Sequence, residues 1–409
     1  MVSFDNSFLG ALTGNKPMRI FTTEENSLLH PVDDSQWYPV RKAKLRDYLY
    51  LFEYSEIDYA GAYKYFKTKG DFAAGACSAL RSGNIYGRNF DWYYSNQAEF
   101  VVSTPHTSDM NATIGVAGGF RALTEEYVST AGKSKLYKMV PFQLQDGINE
   151  YGLTASYNVV STDYGKNVAM PSGEQLEEIC ALMLVRYILD FFSTAAEAVA
   201  FVKEHCKVYF PKALHDVDYE LQVMVADQSN TFIITFVENH TEVIDVTDAA
   251  PYITNFSRYN VILNEDGTVF TPATQTEEGN AHDTNKISLR GAGLERFNII
   301  AEQYSGISDE ADMRALLDDL RYTKMYVTAP DTASPAWLTE YTGGNLTVVS
   351  DPLDFADIEE LAGQAYVDRD RDNPNTWQTM HSVIYDMSSK VLKIRVQETD
   401  EEDVLPLKL

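Results

Sequence analysis

The sequence predicts an α+β fold in which helices pack on antiparallel sheets. Three observations carry that reading: strand-like segments crowd the stretch after Cys77 and the C-terminal end, helical patterns fill the middle, and no repeat recurs at a fixed period. At 409 residues the chain can bury a sizeable core, as one large layered domain or as two or three small ones. Its 44% hydrophobic and 23% charged residues exclude a disordered or collagen-like polymer.

Taken in order, residues 1–76 stand apart from the rest. A loop-like start leads into RKAKLRDYLYLFEYSEIDYAGAYKYFK, a charged and Tyr-rich stretch that reads as helical, and then into TKGDFAAGA, whose small and turn residues leave the backbone before Cys77 accessible. From Cys77 the pattern changes to strands. ACSAL, a turn at Arg81-Ser82-Gly83-Asn84, and IYGRNF make a β-hairpin. Further strands are expected at Ala112–Val116, Leu153–Val160, Leu221–Ala226 and Thr231–Val237, the last two joined by Asp227-Gln228-Ser229-Asn230. Leu176, Ile179, Cys180, Met183, Leu184, Ile188 and Phe191 recur at helical spacing after Ser172 as N-cap, and a second, Ala-rich helix covers 194–205. Helices are expected near 291–303 and 309–320, and two closing strands at Thr379–Tyr385 and Val391–Val396.

The formal charge of -27 repels phosphate backbones and anionic lipid, which argues against nucleic-acid and membrane-surface partners. The most apolar stretch, 179–192, is interrupted by Arg186 and Asp190 and is too short to span a bilayer. The N-terminus shows no signal-peptide pattern, and three scattered cysteines give no disulfide framework, so a cytoplasmic location is expected.

Cys77 opens the first hairpin, and the return strand carries Gly87-Arg88-Asn89-Phe90-Asp91-Trp92. Arg88 and Asp91 are thereby brought back beside the cysteine. A cation lowers the pKa of a neighbouring thiol, and a carboxylate orients an amine or thiol proton. CSALRSGNIYGRNFDW, DGINEYGLTASYN at 146–158, YITNFS at 252–257 and GLERF at 293–297 occur in that order. Together they resemble the choloylglycine hydrolase and penicillin V acylase group of N-terminal-nucleophile hydrolases.

The resemblance implies a four-layer αββα sandwich and a division into an N-terminal propeptide or α-subunit at 1–76 and a catalytic domain at 77–409. It implies autocatalytic cleavage between Ala76 and Cys77, as in the propeptide-bearing members similar to acid ceramidase and N-acylethanolamine amidase. Cys77 would then be the nucleophile, with Arg88 and Asp91 beside it, Asn158 in the oxyanion hole, and Asn255 and Arg296 in support. The spacing from Gly152-Leu153 to Asn158 is one residue tighter than in bile salt hydrolases. This leaves Tyr157, on the opposite face of the strand, as the alternative residue facing the substrate. The implied activity is hydrolysis of a non-peptide linear amide through a thioester, without cofactor. Acyl transfer to an amine and a non-enzymatic binding protein that kept the fold are the two alternatives. The expected partners are a small amide substrate and the chain's own segment 1–76, and a homo-oligomer stays open.

Other signals are weaker. Asp368, Asp370 and Asp372 alternate as in a calcium loop but lack its Gly and distal Glu. GVAGGF at 115–120 has no phosphate-loop spacing, and the histidines offer no zinc motif. His381 and His205 read as structural, and Cys180 and Cys206 as core.

Overall fold

The computed structural model describes residues 40–46, 49–57, 77–92, 98–120, 140–161, 177–209, 219–237, 240–258, 292–321, 376–396 and 399–408, with short pieces at 59, 62, 137, 265–267 and 325–326. Two large sheets dominate it. The nine-stranded sheet runs in the order β1 (Arg41–Arg46), β2 (Leu49–Glu53), β5 (Ala98–Thr104), β6 (Thr113–Phe120), β7 (Asp146–Asn149), β8 (Thr154–Ser161), β11 (Tyr219–Ala226), β12 (Thr231–Val237) and β13 (His240–Asp245). The second sheet is seven-stranded, with β14 (Tyr252–Ile253), β3 (Cys77–Ser82), β4 (Ile85–Trp92), β16 (Thr376–Asp386), β17 (Val391–Val396) and β18 (Asp403–Pro406) in line and β15 (Met325–Tyr326) paired to β16.

Both sheets are apolar on both faces, and the alternation of side chains sorts them into three cores. Along β11, Leu221, Val223 and Val225 face α1 (Leu184–Phe191) and α2 (Ala195–His205), together with Leu184, Ile188, Val199 and Val202. Their neighbours Met224 and Ala226 face the other way, into a core shared with Ala79, Tyr86, Val383 and Tyr385 of the second sheet. On that sheet's far side, Leu80 and Ile384 meet Phe297, Met313 and Leu317 of α3 (Ala292–Tyr304) and α4 (Glu310–Asp319). The layers therefore stack helix, sheet, sheet, helix, and the α+β reading holds as an αββα sandwich. Gly152 sits in the turn between β7 and β8 at φ +82, where a Cβ would also collide with the Met387 carbonyl of the facing sheet.

Two expected helices are partly strand. Residues 41–53 form the antiparallel pair β1 and β2, and β2 continues into the sheet by parallel pairing with β5. Leu49, Tyr50 and Phe52 are fully buried there. Pairing with a strand so far along the chain, together with burial on both faces, decides the conformation of this Tyr-rich sequence, and local helix propensity does not. The apolar stretch before Leu184 also begins extended. Glu177–Cys180 forms β9, which pairs in parallel with β10 (Cys206–Tyr209), and a single 3-10 turn at Ala181–Met183 leads into α1. Ser172, the expected N-cap, and Asp368, Asp370 and Asp372 lie outside the described residues. The expected helix at 194–205 is present, with the Thr194 hydroxyl accepting from the Glu197 N–H as its N-cap.

Every side chain of α1 is buried, including Arg186 and Asp190, which pair across one turn at 2.8 Å. Tyr59 donates to the same Asp190 at 2.6 Å and Thr113 at 3.1 Å, so the helix carries its two charges inside without leaving either unopposed. Among the described residues no helix is long and apolar enough to cross a membrane.

Candidate active site

The site forms where β3 begins. In the β3–β4 hairpin Cys77 pairs with Phe90 and Ala79 with Arg88, so Arg88 is the diagonal neighbour of Cys77 on the same face. Its Nη2 stands 3.7 Å from the Cys77 sulfur and donates to the Tyr157 carbonyl at 2.7 Å. On the other side β14 pairs antiparallel with β3, Ile253 opposite Ala79. Two residues further along that register, Asn255 reaches Cys77: its Oδ1 accepts from the Cys77 main-chain N–H at 2.6 Å, and its Nδ2 donates to the Val159 carbonyl at 2.7 Å.

Arg296, in the second turn of α3, closes the arrangement. Its Nη2 donates to the Cys77 carbonyl at 2.8 Å and to Asn255 Oδ1 at 2.8 Å, while Nη1 pairs with Asp91. Thr379 on β16 donates to the other Asp91 oxygen at 2.5 Å. Nitrogen, sulfur and carbonyl oxygen of one residue are thus each engaged by a different side chain, from the loop after β14, from β4 and from α3.

Asn158 and Tyr157 point to opposite faces of β8. Asn158 reaches across the sheet interface, and its Nδ2 donates to the carbonyls of Thr254 at 3.1 Å and Ile253 at 3.4 Å, leaving Oδ1 buried without a hydrogen-bond partner. Tyr157 offers its carbonyl to Arg88, and the Arg88 guanidinium lies 6.0 Å from its ring centre. The structure therefore gathers Cys77, Arg88, Asp91, Asn255 and Arg296 into one connected set, Arg88 joined to it through the Cys77 sulfur and Asp91 through Arg296, with Tyr157 and Asn158 on the neighbouring β8. Ala76 lies outside the described residues.

Burial dominates the electrostatics. It pushes the Cys77 thiol above its ordinary range, and the opposing pull of the Arg88 guanidinium does not overcome it. Arg88 does pull the thiol down, as its place beside the sulfur implies, and the complete burial of Cys77 outweighs that pull. Cys180, without a cation, is pushed up to about 12. Burial also raises Asp91, against the pull of Arg296 and the Thr379 hydrogen bond.

Sequence reasoning missed Thr379 and Asp146. Asp146 accepts from Arg88 Nη1 and fixes the far end of that guanidinium. Its signal was present, since it opens the DGINEYGL segment already singled out. Thr379 lies far from Asp91 in sequence, in a strand whose composition says nothing of a site. GVAGGF is strand β6, and Cys180 and Cys206 are buried. Among the described residues no group of three or more His, Cys, Asp or Glu could hold a metal ion.

A sandwich of two facing sheets between helical layers is the fold of the N-terminal-nucleophile hydrolases, and Cys77 opens the second strand of one of these sheets. Residues 79–334 match the model of the acyl-coenzyme A:6-aminopenicillanic acid acyl-transferase family, and the chain belongs to that family. Among solved structures, a variant of conjugated bile acid hydrolase from Clostridium perfringens aligns at 14% identity and a TM-score of 0.48, covering 81% of this chain and 92% of that one. Penicillin V acylase from Agrobacterium tumefaciens aligns at 12% identity and 0.38, covering 81% and 86%. No curated protein matches in sequence.

Proposed function

We propose that the protein is a cysteine amidase of the N-terminal-nucleophile type, cleaving a non-peptide linear amide through a thioester on Cys77. The observation that carries this reading is the threefold hold on Cys77, by Asn255 at its nitrogen, Arg88 at its sulfur and Arg296 at its carbonyl. A core cysteine needs none of these.

Activation begins when the Cys77 sulfur attacks the Ala76 carbonyl. The C–N bond breaks and the nitrogen takes the thiol proton, which frees the Cys77 α-amine; water then hydrolyses the resulting thioester to the Ala76 carboxylate and the Cys77 thiol. Asn255 Oδ1, which accepts from this nitrogen, orients the new amine. An α-amine titrates at roughly 7.7–8.0, so near neutral pH it accepts the thiol proton as sulfur attacks the substrate carbonyl. The C–N bond of the substrate breaks, the proton passes to the leaving amine, and water releases the acid. Arg88 stabilises negative charge on sulfur. Asn158 donates to the oxyanion with the hydrogen now directed at Ile253, whose 3.4 Å contact is longer than a well-formed hydrogen bond.

Acyl transfer is the second reading, because the matching family is described as an acyl-transferase. The two differ only in whether water or an amine takes the acyl group. The test has two parts. Mass spectrometry of purified protein should find fragments ending at Ala76 and starting at Cys77, and Cys77→Ala should stay full length. A panel of conjugated bile salts, penicillin V, N-acyl amino acids and N-acyl ethanolamines, scored for amine release with and without an added amine acceptor, then separates hydrolysis from transfer. Cleavage of Cys77→Ala at the same bond would refute self-processing by the cysteine.

A further inference from the structure

Behind Arg88 lies a set of buried charges that the chemistry above does not use. His381 on β16 stands between Glu99 on β5 and Asp146 on β7, and all three are fully buried. Its Nδ1 is 2.7 Å from Glu99 Oε2 and its Nε2 is 2.9 Å from Asp146 Oδ2. With both acids ionised, each accepts hydrogen bonds and has none to donate, so each ring nitrogen carries a hydrogen. A ring with both nitrogens protonated is an imidazolium.

Charge counting gives the same answer. Arg88 and His381 then balance Asp146 and Glu99, whereas a neutral ring would leave one negative charge uncompensated in the sheet interface. Nε2 also lies 3.3 Å from Arg88 Nη1, but the two cations do not bond to each other: they converge on the same Asp146 oxygen. Tyr385 donates to the other Asp146 oxygen at 2.5 Å, and the Phe90 ring stacks on the imidazole at 5.1 Å. A Cβ at Gly118 would overlap the Glu99 carboxylate, so β6 is shaped to admit this charge. Other titratable groups that act on Arg88 are Tyr86 from β4, Tyr157 from β8 and Cys77 from β3. Burial lowers the affinity of His381 for its proton, and Asp146 and Glu99 together raise it above the ordinary histidine value.

We propose that His381 is a positioning residue of the site: held as an imidazolium between Glu99 and Asp146, it fixes the carboxylate that aims Arg88 at the Cys77 sulfur. This role rests on the reading of Cys77 as the nucleophile. Without the imidazolium, Asp146 turns more of its charge on Arg88 and the field at the thiol becomes more negative.

Two measurements test it. In unmodified protein labelled with 15N-histidine, the His381 ring should show two protonated nitrogens at pH 7, and a neutral ring overturns the inference whether or not any variant folds. The rate of Cys77 alkylation by iodoacetamide should then be followed against pH. In His381→Gln the profile should move to higher pH by about one unit, lowering the rate at pH 7 by ~10-fold, and His381→Lys should restore part of it. Cys180 labelling should not move. Equal loss in both variants with an unshifted profile would make His381 merely structural and overturn the role. A Cys77 that stays inert in the unmodified chain, beside a doubly protonated His381, would instead overturn the amidase reading and the positioning role with it.

Discussion

Arg296 donates to the carbonyl of Cys77 at 2.8 Å while its other terminal nitrogen pairs with Asp91, so one side chain of α3 ties the start of β3 to the end of β4. Both partners of the ion pair are buried. The chain thus holds Cys77 from the backbone side, independently of the sulfur.

Removing Arg296 should therefore affect folding as well as activity. Arg296→Met leaves Asp91 a buried charge with only the Thr379 hydroxyl and distant Arg88 to offset it, and a loss of about 3–5 kcal/mol is expected in urea unfolding. Arg296→Met combined with Asp91→Asn should lose less than the single change, because no charge is then stranded. A double variant weaker than the single one would show that the pair is not coupled in this way.

Segment 1–76 should remain bound after cleavage. Its strands β1 and β2 extend the nine-stranded sheet, Tyr54 donates to the Tyr137 carbonyl at 2.8 Å, and Tyr59 donates to Asp190. Burying each large side chain of this segment contributes roughly 1.5–3 kcal/mol. The two pieces should co-elute in native buffer and separate only in denaturant. Tyr59→Phe, which leaves Asp190 short of one donor, should lower the denaturant needed by an amount equivalent to about 1–3 kcal/mol. Two peaks in native buffer would refute the association.

The legibility of this fold in its sequence followed the range of its contacts. The β3–β4, β11–β12 and β16–β17 hairpins were readable because alternation and turn residues are local signals. β2 was not, since its partner β5 is reached by parallel pairing and its Leu-Tyr-Leu-Phe run fits either period. In the site, Arg88 and Asp91 were visible because a hairpin returns them to Cys77. Glu99, Asp146 and His381 come together from strands 235 and 282 residues apart in two sheets, and no spacing rule reports such a meeting. The cost of burying Cys77 was also invisible, because a sequence shows the cation beside a thiol but not how deeply the fold buries it.

The buried quartet gives stability a defined pH dependence. His381 has its folded value raised above 6.5, so its contribution is complete below about that pH and is lost as pH rises through the raised value. Asp146 is lowered below 3.8: burial pushes it up, but His381 and Arg88 outweigh that. Its contribution is present above that pH and fades as pH falls through the lowered value. Asp91 and Asp190 are raised by burial and act in the opposite sense, but they are common to parent and variant and cancel in the difference. The gap in urea midpoint between parent and His381→Gln should be large at pH 6 and shrink as the solution is made alkaline. A gap that widens with pH would mean that the ring is neutral in the folded chain.

The assignment of Asn158 against Tyr157 can be decided by separating turnover from stability. Asn158 spans the two sheets through Thr254, whose carbonyl also accepts from Gln222, so Asn158→Ala should cost about 0.5–1.5 kcal/mol in unfolding as an ordinary lost hydrogen bond. If its weakly held hydrogen is the one offered to the oxyanion, kcat should also fall by roughly 100-fold or more with KM little changed, because that bond strengthens only in the transition state. Tyr157→Phe should leave kcat nearly untouched, since Tyr157 meets Arg88 through its carbonyl and its ring face, and both survive the loss of the hydroxyl. The opposite outcome, a silent Asn158→Ala at a temperature where it is folded and a Tyr157→Phe that loses turnover, would place the phenol at the substrate. Asn158 would then be a tie between sheets, with its two donors permanently committed to the main chain of residues 253 and 254.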